Sequence, residues 1–77
     1  MEKGQLTASF GTAVRRHRLA QGLSQEELAQ RAGLHRAYVG FVERGEKSVT
    51  LETGRHLAGG LGVPFSELLR EAEAESA

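Results

Sequence analysis

"SQEELAQRAGLHR", residues 24–36, decides the fold. Ser24 is a preferred helix N-cap, and Glu27, three residues on, can bond back to the cap's own N–H to form a capping box. Leu23 and Leu28 bracket this start as a hydrophobic staple. So many start signals suit a long helix, yet Gly33 stops this one after roughly two turns. An apolar pattern then resumes at Leu34. Two short helices joined by a tight turn containing glycine form a helix-turn-helix unit, over about residues 24–45, in which the first helix braces the second. Gly33 suits a turn position with positive φ, and Leu34 can fill the angle between the helices.

The second helix of the pair begins near His35 and ends near Arg44, with Gly45 as its stop. At about 100° per residue, Tyr38, Val39 and Val42 share the packed side, and Glu43 lies near its edge. Arg36, Ala37, Gly40, Phe41 and Arg44 share the other side: two arginines, two tiny residues, one aromatic and no acid. This mixture suits the major groove of DNA. Arg36, in the first turn, can donate a bidentate pair to guanine, and Ala37 or Phe41 can meet a thymine methyl. Phe41 can equally pack against the rim of the first helix of the chain. Gly40 lets the helix backbone approach the bases. Arg44 is placed for a phosphate, as is Gln25 at the start of the preceding helix, where free N–H groups and the dipole favour anions. Lys47 and Ser48, just beyond, extend the contacts to phosphate or a base edge. Tyr38 sits at the core edge with a hydroxyl that can reach phosphate.

Three further helices flank this unit. The first runs from about Ala8 to Gln21, capped by Thr7 or Ser9 and stopped by Gly22; Phe10, Val14, His17 and Gln21 share a face, with Arg18 at its edge. Another, capped by Thr50, runs to about Leu61 with Leu51, Gly54, Leu57, Ala58 and Leu61 on one side. Its Gly59 and Gly60 should cost about 1 kcal/mol each relative to Ala. The last begins at Pro64 and carries the stripe Phe65, Leu68, Leu69 and Ala72. The residues after it, 73–77, are expected to fray for want of anything to bury. The class is all-α, a single domain over residues 1–77 with five short helices.

The chain has 77 residues, no cysteine and a formal net charge of zero. A domain this small buries a modest share of its surface, so dimerisation would add useful area. The charge is unevenly spread. Residues 1–47 hold eight Lys/Arg against five Glu, a net of +3, and residues 48–77 hold two against five, a net of −3. Such a split can mark a nucleic-acid face. No segment reaches the ~20 apolar residues of a membrane span, and "MEKGQLTASFG" lacks the basic start and apolar run of a signal peptide. A cytoplasmic protein is expected. His17, His35 and His56 lie on different helices without metal-ligand spacing. No metal, cofactor or catalytic constellation is expected, and the chain is read as not being an enzyme.

The residues "RLAQGLSQEELAQRAGLHRAYVGFVERGE" closely resemble the Cro/repressor-type, or XRE, helix-turn-helix family, and the likeness extends from about Phe10 to Leu69. It implies a compact five-helix, repressor-type domain that binds DNA as a regulator, usually as a dimer. Within the family, "LHRAYVGFVERGEKSVTLET" looks most like the controller proteins of restriction–modification systems, dimers that bind operators and both activate and repress. By position, the resemblance puts Arg36, Ala37 and Gly40 at recognition positions, and Gln25, Arg44, Lys47 and Ser48 at phosphate or base edges. It makes Arg18 and Glu43 an ion pair between helices, and it assigns Val63, Phe65, Leu68 and Leu69 to a dimer region over about 61–72. His17, Phe41, Gly59 and Gly60 depart from the family pattern.

The expected function is therefore a homodimeric, sequence-specific transcriptional regulator on a near-palindromic, double-stranded operator, of the restriction–modification controller type. RNA polymerase is a candidate further partner, and no membrane is involved. The alternative is an antitoxin or other protein-interaction module that also autoregulates its operon, which the acidic half of the chain motivates.

Overall fold

The computed structural model describes residues 5–76. Residues 1–4 and 77, which the single-domain reading also takes in, lie outside the described residues. Five helices follow one another: α1 (Gln5–Ala20), α2 (Gln25–Ala32), α3 (Arg36–Glu43), α4 (Leu51–Leu61) and α5 (Phe65–Ser76). Helix α1 packs on α3 and α5, and α2 packs on α3 and α4.

Local chemistry explains most boundaries. The Ser24 hydroxyl accepts from the Glu27 amide at 3.0 Å, and the Glu27 carboxylate accepts from the Ser24 amide at 2.8 Å, so the capping box is complete. Those bonds to Ser24 hold the Glu27 carboxyl below its ordinary pKa. Gly33, with φ of 70°, closes α2 in the left-handed conformation that makes the tight turn. Helix α4 has a second box, in which Thr50 and Thr53 satisfy each other's amides. Pro64 precedes α5 rather than opening it, and its carbonyl accepts the first helical bond, from Glu67 at 3.0 Å.

The core comes from all five helices. Leu28, Leu57, Leu68, Val14, Val39 and Val42 are its largest fully buried side chains. Phe10 meets Phe65 edge to face, with ring centroids 6.2 Å apart. Small residues set how closely the helices pack. A Cβ on Gly11 would overlap the Val42 carbonyl, one on Gly54 would lie 2.6 Å from the Phe65 ring, and one on Gly60 would lie 3.2 Å from the Ala32 backbone.

Several expectations need correction. Helix α1 begins at Gln5, so Thr7 and Ser9 lie inside it rather than capping it. Leu51 is not on the inner side of α4 but 78% exposed. Gly60 is the contact surface of α4 with α2, so its cost in helix propensity is offset by close packing; Gly59 meets nothing. Residues 73–76, expected to fray, are helical. Helix α5 continues to Ser76 because polar contacts to α1 replace the missing apolar ones. Arg16 bonds Glu71 at 2.9 Å and Glu75 at 3.2 Å, and the Ser76 hydroxyl meets that of Ser9 at 2.9 Å. His17 Nε2 lies 3.0 Å from the Glu71 carboxylate. Ala77, the last residue of the expected tail, is outside the described residues.

Candidate nucleic-acid interface

The outward face is presented by α3, which is tied into the domain from behind. Arg18 on α1 donates from Nε to Glu43 Oε2 at 2.6 Å and from Nη2 to Oε1 at 2.9 Å. Its remaining nitrogen, Nη1, donates to the Leu23 carbonyl at 2.8 Å. Gln25 Nε2 on α2 donates to Glu43 Oε1 at 3.0 Å. One buried carboxylate thus joins α1, α2 and α3, and its bond to Arg18 raises that guanidinium further above its ordinary pKa. The Arg18 and Glu43 side chains are 9% and 2% exposed, which makes this an interior pair.

In front of that anchor, Arg36 and Ala37 are exposed in the first turn of α3. This turn carries no acidic residue, and His35 before it makes no side-chain cap. Arg44, Lys47 and Ser48 are exposed at the far end, with Phe41 half-buried between them. The Arg44 guanidinium lies 5.3 Å and the Lys47 ammonium 4.9 Å from the Phe41 ring centre. The aromatic ring therefore neither joins the core nor stands free: it carries two cations.

Four predicted contacts are placed differently from expectation. Gly40 is buried, not open to an approaching base, because Arg44 and Gln25 lie across it. The Gln25 side-chain amide is turned inward to Glu43, which leaves the start of α2 to offer its backbone. The Tyr38 hydroxyl, expected to be free to reach phosphate, has a neighbour within its own domain. It lies 3.1 Å from Thr53 Oγ1 and binds the α3–α4 connection. Arg44 is already paired with Glu46, at 3.1 Å.

The dimer region also changes. Leu68 is fully buried within its own domain and has no surface to offer. Val63, Phe65 and Leu69 are half-buried and pack on the core edge. Phe65 and Leu69 do line an apolar groove of about 230 Å3, together with Leu6, Phe10, Val49 and Leu51. Leu6, Val49 and Leu51 were not anticipated from the sequence. The sequence carried no clear signal for them, since Leu51 shares the helical stripe of Leu57 and Leu61, and only the structure shows it exposed while they are buried. Among the described residues no group of three or more His, Cys, Asp or Glu could hold a metal ion. No helix among them is long and apolar enough to cross a membrane.

With this geometry, a helix-turn-helix family profile matches residues 14–68. The chain belongs to the XRE-type helix-turn-helix family of DNA-binding transcriptional regulators. Within that family it is similar to the control proteins of restriction–modification systems. It is 50% identical over 56 residues to control protein C.SmaI of Serratia marcescens, covering 73% of this chain and 67% of that one. The crystal structure of the controller protein C.AhdI from Aeromonas hydrophila superposes with a TM-score of 0.78 at 47% identity, over 80% of this chain and 94% of that one. The controller protein C.Esp1396I, solved as a tetramer on its natural 35 base-pair operator, superposes with a TM-score of 0.84 at 25% identity, over 92% and 93%.

Proposed function

We propose that this chain is a restriction–modification controller that binds a near-palindromic operator as a homodimer, with the first turn of α3 reading bases. The observation that carries this reading is the exposed Arg36–Ala37 first turn of a helix whose other end is anchored to α1 by the buried Arg18–Glu43 pair. The anchored helix presents Arg36 outward, and its planar fork can donate a bidentate pair that discriminates guanine from the other bases. Lys47, Ser48, Arg44 and the backbone at the start of α2 would hold the phosphates that set the register. Two copies would place their α3 helices in successive major grooves, about 10 bp apart.

The second copy fits the groove beside Phe65 and Leu69. Leu6 and Leu51 at its rim are 40% and 78% exposed, an apolar surface that an isologous partner would cover. Leu51→Glu should give a folded monomer with weakened operator binding, read by sedimentation; an undiminished dimer would place the interface elsewhere. Activation from such an operator would bring RNA polymerase in as a further partner, and such a regulator would act in the cytoplasm.

The deciding test is selection from a random duplex library with wild type and Arg36→Ala. Wild type should enrich a dyad-symmetric site, and Arg36→Ala should lose one G·C preference per half-site. If the folded wild type enriches nothing, the reading fails.

A further inference from the structure

We propose that Glu46 is a positioning residue for DNA binding: it holds Arg44 across the outer face of α3 so that the free edge of the guanidinium meets a phosphate. This rests on the reading that this face meets DNA. An acid on such a face would ordinarily be unfavourable, since it repels phosphate, so its placement calls for a specific role.

The placement is built by the chain. Helices α1 to α4 all end in the same way. The amide of a left-handed glycine bonds the carbonyl three residues back, and the next amide bonds the carbonyl five back. The residue after the glycine is Leu23, Leu34, Glu46 or Val63. At α1, α2 and α4 it is apolar, as this motif favours. At α3 alone it is a carboxylate, 52% exposed. Its amide bonds the Phe41 carbonyl at 2.9 Å, which folds Glu46 back beside Arg44 although the two are only two residues apart.

Three contacts then fix the Arg44 side chain. Glu46 accepts from Nε at 3.1 Å and from Nη2 at 3.4 Å. The Phe41 ring lies beneath the guanidinium. Gly40 leaves the room, since a Cβ there would come within 3.1 Å of Arg44 Nη1. A guanidinium carries five donors. The pair with Glu46 uses one edge and leaves the Nη1 donors for an acceptor on another edge. A long side chain ordered in advance loses less rotamer freedom on binding. Glu46 thereby biases Arg44 toward this orientation before the duplex arrives.

The test is a double-mutant cycle on the full chain: wild type, Glu46→Gln, Arg44→Ala and the double variant, measured against the selected operator duplex, with thermal melts to show that each is folded. Removing a negative charge from a DNA-binding face should by itself strengthen binding. The proposal requires the reverse sign. Glu46→Gln should weaken operator binding about two- to fivefold, the range of an exposed ion pair. In the Arg44→Ala background the same change should leave affinity unchanged or raise it. Glu46→Asp should recover part of the loss. If Glu46→Gln strengthens binding equally in both backgrounds, Glu46 is only a repulsive charge and the proposal is overturned. If it strengthens binding only when Arg44 is present, Glu46 competes with DNA for Arg44, and positioning is again overturned. No effect in either background overturns it too. If the folded wild type selects no duplex, the proposed function falls and this inference with it; selection by wild type with any of the three preceding outcomes removes this inference alone.

Discussion

Glu43 and Arg44 are neighbours in the chain, and each is half of an arginine–carboxylate pair, yet the two pairs do opposite work. Glu43 turns inward, meets Arg18 through two short bonds and is 2% exposed. Arg44 turns outward to Glu46, with 54% and 52% of the two side chains exposed. The difference is one step of about 100° around α3. Inside, the carboxylate has no water to fall back on, so its partners are obligatory and the pair fixes helix positions. Outside, water competes for both groups, so the pair is weak, and the donors that Arg44 has left over can be offered to another molecule. Between these extremes lies the α1–α5 cluster, where Glu71 is 20% and Arg16 48% exposed.

The inner pair should show the largest effect. Arg18→Met leaves the Glu43 carboxylate buried with only the Gln25 amide as a side-chain partner. Loss of about 3–5 kcal/mol of unfolding free energy is expected in urea titrations. Replacing both members, Arg18→Met with Glu43→Met, should recover at least roughly half of that, since no uncompensated charge remains. A double variant as unstable as the single one would show that α1, α2 and α3 depend on the pair's geometry rather than on its charge balance.

These contrasts were unevenly legible in the sequence. The capping box at Ser24, the left-handed Gly33 and the stop at Gly62 are local, and local chemistry is enough to place them. The packed side of α3 followed from its periodicity, as Val39 and Val42 are buried. Periodicity cannot say which edge of a broad stripe faces its own core: Leu68 and Leu69 look alike in sequence, and only the first is fully buried. Nor does propensity reveal that Gly60 is a contact, because the Leu28 and Ala32 side chains it meets belong to another helix. The Arg16–Glu71 pair joins residues 55 apart, beyond any local rule. Glu46 escaped for a subtler reason. A helical projection of α3 ends at its glycine stop, and the turn that brings Glu46 back beside Arg44 lies just past it.

The intermediate cluster sharpens the comparison through pH. The Arg16 hydrogen bond, helped by His17, holds the Glu71 carboxyl below its ordinary value of 4.5. A carboxyl with a depressed folded-state pKa contributes stability above its unfolded value, and that contribution is lost as pH falls through the folded value. Glu71→Gln should therefore cost about 1 kcal/mol or less at pH 7. The gap to wild type should close as the pH drops below 4.5, read from thermal melts across pH. A gap that persists in acid would mean that α5 is held by shape rather than charge.

The outer pair should be nearly silent in stability. Arg44→Ala removes an exposed ion pair and one cation from the Phe41 ring, where Lys47 remains. Its unfolding free energy should stay within about 0.5 kcal/mol of wild type, as for a surface change without buried partners. The DNA measurements should not be silent. Loss of one phosphate contact should weaken binding by a similar factor on all duplexes and lower the steepness of the salt dependence by about one. This separates the two arginines sharply. Arg18 acts on DNA only by keeping α3 in place, so any loss there should appear in the melts first. If Arg44→Ala instead unfolds the domain, its contacts with Phe41 and Glu46 belong to the fold, and the distinction between an inner pair that builds and an outer pair that binds would not survive.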